Sequence, residues 1–358
     1  MTPTFNVDSI SARAQAARSL VCLLVVFVHV IGNAINAGIQ IDNNSAYYFV
    51  ADFFAPIRMP LFACLSGFVY AYRPFHRDQW RNFAAKKILR LGVPLFVAST
   101  VTFFSLVIIG RQVDVYFGVD ANPDLWSLAR AYYYPFQHLW FLQALLGVIA
   151  VVMALELLPT MISLKRWLVM FALSLIAFAA SPLNSLIVFS IKDISFLLPF
   201  FLLGLAANRF GKQVLAPKTM QTVAVIFVAA AAMQAVDASF GHGDFERTAP
   251  LATVFGLSAV LCILRWMPTA KPFLWIGGYS FSIYLYHTIV IALAAFVATK
   301  FGLHSAPIFV AATLVFSVML PIALEAATRK NATARLLLLG EYRKSKAAAR
   351  PQSQIEFA

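Results

Sequence analysis

The amino-acid sequence predicts an all-α fold: a polytopic transmembrane helical bundle of about ten helices with both termini cytoplasmic. Three observations predict it. The chain is 61% hydrophobic and 12% charged, about half the charged fraction of an ordinary soluble domain. Its apolar runs are long and continuous, where a β-barrel would alternate apolar and polar positions. Its Lys and Arg residues collect in alternate connections and in the tail Arg343-Lys344-Ser345-Lys346, the asymmetry that keeps basic loops cytosolic. The net charge of +13 is explained by that clustering, so no nucleic-acid partner is expected; the expected surroundings are membrane lipid.

The apolar segments run at 19–38, 48–72, 91–110, 138–158, 167–182, 187–208, 220–238, 249–266, 274–299 and 307–328. The fifth is short and the sixth carries Lys192 and Asp193, which makes that pair the weakest of the ten. Residues 1–18 are polar and show no cleavage pattern, so the first apolar segment is read as a retained helix and not a signal peptide. The connections at 73–90, 165–166, 209–218, 265–271 and 329–350 are basic, and with ten spans all fall on the side of the N-terminus. Those at 39–47, 111–137, 239–248 and 300–306 hold most of the loop acids. The chain thus divides into a cytoplasmic segment 1–18, a membrane domain 19–328 and a basic cytoplasmic tail 329–358.

The long outer connection holds Asp114, Asp120, Asp124 and Trp126, followed by Tyr132-Tyr133-Tyr134-Pro135. Its aromatics fit an interfacial belt or, more specifically, a sugar-binding lip. No internal repeat is evident, which weighs against a secondary transporter. Cys22, Cys64 and Cys262 lie far apart inside apolar segments and read as small core residues. The six histidines (29, 76, 138, 242, 287 and 304) show no H-x-x-x-H or similar spacing, so no metal is expected.

Arg18 and His29 stand ten residues apart in an otherwise apolar run. Eleven helical steps rotate about 1,100°, close to three full turns, so both side chains share a face about 16 Å apart along the axis. Arg18 then lies at a membrane edge and His29 near the midplane. A lone intramembrane His is either a satisfied structural group or a neutral imidazole acting as a base.

The basic connection 73–90 contains Arg81, Lys86, Lys87 and Arg90; Lys87 and Arg90, three apart, are expected on one helical face. Such a cluster meets anionic lipid, or together with Arg18 binds a diphosphate on a cytosolic donor. In the second segment Pro60 removes a backbone hydrogen bond, and Gly67 permits close helix approach. Asp52 and Arg58, six apart on its outer half and not required to face each other, mark a polar cavity and not a lipid-facing surface.

On these residues the chain resembles the acyltransferase-3 family of integral-membrane acyltransferases, over nearly its whole length. The matching pieces occur in family order. Arg18-x10-His29 comes first, then Met59-Pro60-Leu61-Phe62 running into Ser66-Gly67-Phe68. Next is Lys86-Lys87-Ile88-Leu89-Arg90-Leu91 with Pro94 following, then His138-Leu139-Trp140-Phe141-Leu142. The set closes with Gly277-Gly278-Tyr279-Ser280-Phe281-Ser282-Ile283-Tyr284-Leu285-Tyr286-His287, and with Pro321 and Glu325. The family's basic motif is usually two arginines separated by two residues, and here Lys87 takes the first place. Arg58 stands where relatives similar to sugar O-acetylases often have a histidine. No hydrolase-like domain is fused at the C-terminus.

The resemblance implies a stand-alone, multi-pass enzyme of the bacterial cytoplasmic (inner) membrane. It implies transfer of an acyl group, acetyl or succinyl, from cytosolic acyl-CoA to a hydroxyl of a cell-surface or lipid-linked carbohydrate such as an exopolysaccharide. Acyl-CoA is then a co-substrate and no cofactor is permanently bound. His29 corresponds to the essential histidine and general base, Arg18 to its partner on the same helix, and Lys87 and Arg90 to the donor-side motif, with Lys86 and Arg81 beside them. A tetrahedral oxyanion needs a hydrogen-bond donor, for which Ser66, Tyr284, Trp140 and the backbone amide of Gly67 are candidates. Glu325 and His287 either orient a catalytic group or pair within the bundle. The alternative reading is a non-enzymatic transporter or flippase of a glycan or glycolipid.

Overall fold

A computed structural model describes residues 7–32, 45–72, 77–113, 123–157, 163–181, 183–239, 249–303 and 307–341. His76, Asp114, Asp120, His242, His304 and the basic tail from 342 onward lie outside the described residues. Among the described residues the chain is helical and contains no strand. The first half consists of α1 (Val7–Ile31), α2 (Ala46–Phe53), α3 (Ala55–Ala71), α4 (Trp80–Lys87), α5 (Val93–Val113), α6 (Leu125–Tyr133) and α7 (Trp140–Leu157). The second half consists of α8 (Leu164–Ala180), α9 (Lys192–Arg209), α10 (Gly211–Val214), α11 (Pro217–Ser239), α12 (Pro250–Trp266), α13 (Lys271–Gly278), α14 (Ser280–Phe301), α15 (Pro307–Thr328) and α16 (Ala332–Leu339).

Each of the ten apolar segments carries a helix, but fewer than ten qualify as spans. Among the described residues seven helical stretches are long and apolar enough to cross a membrane, and up to nine if the bent pairs α2–α3 (41°) and α12–α13 (116°) each form one span. α8, with 17 residues, is shorter than the ~20 a bilayer core asks for.

Boundaries differ from expectation where tertiary packing takes over. α1 begins at Val7, well before position 19, because its first turns are buried against protein. Ala14, Ala16 and Ala17 are buried, and the Gln15 side chain donates to the Leu274 carbonyl at 2.9 Å. Gly277 lies so close to this stretch that a Cβ there would sit 2.0 Å from the Gln15 carbonyl oxygen. The expected single helix at 274–299 is accordingly two, α13 docking on α1 and α14 crossing the bundle. The expected helix at 48–72 breaks at Phe54, with Pro56 opening α3.

The centre is the crossing of α3 and α9. A Cβ on Gly67 would stand 1.9 Å from the Phe201 carbonyl oxygen, and one on Gly204 1.8 Å from that of Cys64. Glycine at both positions lets the backbones touch. By contrast, Val225, Val228 and Met233 on α11 and Val315 and Phe316 on α15 are exposed, which in a bundle of this composition makes those faces lipid-facing. Between α5 and α7, the Asp124 carboxylate accepts from the Ser127 amide at 2.7 Å and its hydroxyl at 2.8 Å. Asp124 is thus the N-cap of α6, a short helix within the polar connection 111–137.

Candidate active site

α1 and α14 run side by side in the same direction. The Cys22 thiol donates to the Ser280 carbonyl at 3.3 Å. Two turns further along each helix, His29 meets His287 with ring centroids 5.3 Å apart. A third imidazole joins them from the turn Gln137–Leu139 that leads into α7: His138 lies 6.1 Å from His29 and 4.7 Å from His287. The backbone reaches this position through a left-handed conformation at Gln137, φ 48°, which is uncommon outside glycine and recurs at functional turns. The Tyr284 hydroxyl, donating to the His138 carbonyl, holds the turn in place. The Gln143 amide donates to the carbonyls of Tyr132 and Tyr134 at 3.0 and 3.2 Å, bracing the approach to it.

The three rings are not equivalent. His287 is 0% exposed and His138 3%, while His29 is half-buried. Nδ1 of His287 lies 2.9 Å from the Ile283 carbonyl and 3.0 Å from that of Tyr284. Carbonyls only accept, so Nδ1 carries the hydrogen and Nε2 of the neutral ring holds a lone pair. That Nε2 is buried without a hydrogen-bond partner among the described residues. Among those residues no group of His, Cys, Asp or Glu is arranged to hold a metal ion.

One turn before His287 begins a cavity of about 150 Å³, with Tyr284, Phe62 and Phe141 at its inner end and Arg18, Lys87 and Arg90 at the other. The Tyr284 ring stands 5.1 Å from His138, 5.7 Å from Phe62 and 5.9 Å from Phe141. It is therefore a wall shared by the cavity and the histidine cluster.

Each cation is positioned by its own neighbours. Arg90 donates to the Leu339 carbonyl, pairs with Glu341 at 3.4 Å and lies 4.7 Å over the Phe281 ring. Lys87 places its Nζ 5.2 Å over Phe83 and 5.7 Å over Tyr70. Tyr70 donates to Glu156 at 2.6 Å, and Glu156 pairs with Arg209 at 2.5 Å. Arg18 is close enough to Arg90 for their like charges to oppose each other. Three cations, Arg90 among them paired with Glu341, thus line one largely apolar space, an arrangement that favours an anion there.

A family model described as an acyltransferase domain matches residues 12–326. The chain belongs to the acyltransferase-3 family. It is a membrane acyltransferase. No curated protein and no solved structure matches the chain.

Within this acyltransferase the sequence-derived candidates fall into groups. Arg18, Lys87 and Arg90 line one cavity, although a π turn at Ile88–Gly92 replaces the regular helix expected between the last two. Lys86 and Arg81 are exposed and away from the cavity, with Arg81 lying 5.4 Å over the Trp80 ring. Ser66 lines the cavity, but its hydroxyl donates to the Phe62 carbonyl at 2.8 Å. The Gly67 amide lies inside α3, where the helix itself uses it. Trp140 opens α7 beside Phe141, outside the cavity lining. Glu325 accepts from Ser282 at 2.6 Å and feels the charges of Arg90 and Arg329, which places it toward the cationic end and away from His29.

The convergence of His138 and His287 on His29 is what sequence reasoning missed. A search for local spacing cannot detect three histidines carried by three separate elements. The available signal was the cost of each buried imidazole, since an ionisable residue inside a span calls for a partner.

Proposed function

We propose that this acyltransferase moves an acetyl or succinyl group from cytosolic acyl-CoA to a hydroxyl of a cell-surface or lipid-linked carbohydrate, in the inner membrane of a bacterium and with both termini cytoplasmic. The observation that carries the reading is the single cavity joining Arg18, Lys87 and Arg90 to Tyr284, whose ring touches the histidine cluster. The donor's diphosphate makes charge-assisted hydrogen bonds to the two guanidinium groups and the ammonium. Its slender pantetheine arm lies along Phe62, Phe141 and Phe281, and brings the thioester toward the level of Tyr284. Holding both reactants in line is itself a large part of the rate enhancement.

The carbohydrate hydroxyl approaches His29 from the opposite side. His29 takes the hydroxyl proton, the oxygen attacks the thioester carbon, and the carbon–sulfur bond breaks as the ester forms. The CoA thiolate leaves with the proton returned by His29. Tyr284 supplies the oxyanion contact by turning its hydroxyl away from the His138 carbonyl.

Mass spectrometry of surface glycans from cells with and without the chain tests the reading. The expected result is an acetyl or succinyl increment that disappears with the chain. Identical glycans in both would refute it.

A further inference from the structure

We infer that His287 is the positioning residue for His29: its Nε2 accepts the one N–H of the neutral His29 ring, so that the other nitrogen of His29 presents its lone pair to the acceptor hydroxyl. This rests on the proposed role of His29 as the base of acyl transfer. A neutral imidazole has one donor nitrogen and one acceptor nitrogen, and the partner of the first decides which way the second faces.

His287 is built to be that partner. Both contacts of its Nδ1 are carbonyl oxygens, at 2.9 and 3.0 Å, so its Nε2 can only accept. That Nε2 is buried and accepts from no described residue, His29 included, a state that costs free energy until the His29 N–H is turned to it. Two imidazoles sharing an in-line N–H···N bond have centroids about 5.2 Å apart. The His29–His287 separation of 5.3 Å fits this spacing. The His138–His287 separation of 4.7 Å, with the rings inclined at 64°, is an edge-to-face contact instead. His138 therefore packs on His287 through its ring and not through a hydrogen bond.

In the transfer step the hydroxyl proton goes to the lone pair of His29, the O–C bond forms, the C–S bond breaks, and the CoA sulfur receives that proton. His287 neither gains nor loses a proton. It holds the second N–H of His29 throughout, so the imidazolium stays in line between acceptor oxygen and leaving sulfur.

The test uses membrane vesicles carrying the full chain and their own surface glycans, with labelled acetyl-CoA as donor. His287→Phe keeps a ring and removes the acceptor; kcat should fall about 100-fold while the KM for acetyl-CoA stays within about twofold. His287→Gln, whose amide can both accept from His29 and donate to the helix carbonyls, should recover about tenfold of that loss. Wild-type kcat in His287→Phe, or equal losses in the two variants, overturns the inference. His29→Ala separates the two readings. Full transfer by that variant sinks the proposed function together with this inference, whereas an inactive His29→Ala beside a fully active His287→Phe sinks this inference alone. A measurement free of catalysis is ¹⁵N resonance of the wild-type imidazoles. A single tautomer at His29 supports the inference, and a mixture of tautomers overturns it.

Discussion

The hydroxyl of Tyr284 donates to the backbone carbonyl of His138, tying α14 to the left-handed turn that delivers His138 to the histidine cluster. The same ring walls the inner end of the cavity that begins at Arg18, Lys87 and Arg90. One side chain therefore links the geometry of the imidazoles to that of the donor site. Tyr284→Phe keeps the ring against Phe62 and Phe141 and removes the hydrogen bond. We expect a stability loss of about 1 kcal/mol and a fall in kcat of about a hundredfold to a thousandfold, what loss of one oxyanion donor costs, with donor KM unchanged. Thermal unfolding in detergent and labelled acyl transfer measure the two effects.

Gly67→Ala and Gly204→Ala each place a methyl group inside the opposing backbone, 1.9 and 1.8 Å from a carbonyl oxygen. A backbone cannot swing aside as a flexible side chain does, so α3 and α9 must part. The expected cost is about 3 kcal/mol or more for either, at the upper end of overpacking effects. Gly278→Ala, whose Cβ would meet the Gln15 amide nitrogen at an ordinary 3.7 Å, should unfold at the wild-type temperature.

Glu156 holds both Arg209, at 2.5 Å, and the Tyr70 hydroxyl, at 2.6 Å, with its side chain 7% exposed. Glu156→Leu leaves a largely buried guanidinium without its counter-charge, a loss of about 3 kcal/mol. Tyr70 also lies beneath Lys87, so the surviving protein should show a raised KM for acyl-CoA. An unchanged melting temperature would mean that Arg209 finds another partner.

Charge reversal at the cationic end should act on the donor. Lys87→Glu combined with Arg90→Glu is expected to raise the KM for acyl-CoA at least tenfold, since each charge-assisted hydrogen bond contributes about 1.5 kcal/mol or more, and to leave acceptor KM near wild type. Raising the salt concentration should weaken donor binding by wild type in the same sense. Arg81→Ala and Lys86→Ala, exposed and off the cavity, should change donor KM little. Steady-state kinetics with each substrate varied in turn decides this; an effect confined to the acceptor would place the donor elsewhere.

Much of this architecture was legible in the sequence, because period and hydropathy are local. The ten apolar segments all carry helices, and Gly67 sits at a close backbone crossing, as a glycine within an apolar helix implied. Arg18 and His29 lie on one helix, α1, and Arg18 shares a cavity with Lys87 and Arg90. What was illegible depends on contacts between distant elements. The early start of α1 follows from burial of Ala14, Ala16 and Ala17 against α13, not from propensity. The π turn at Ile88–Gly92 follows the docking of Gly340, where an added Cβ would lie 2.4 Å from the Arg90 carbonyl oxygen. His138 and His287 meet His29 because α1 and α14 run in the same direction in one register, which no spacing within either helix reveals.

The most direct test of the central claim is acyl transfer by His29→Ala. Membranes with equal amounts of wild type and variant are given labelled acetyl-CoA and succinyl-CoA, and label is counted in the carbohydrate fraction. We predict ester-linked label with wild type and none above background with His29→Ala, although the variant inserts normally. Equal incorporation by the two would show that the base of this acyltransferase lies elsewhere than in the histidine cluster.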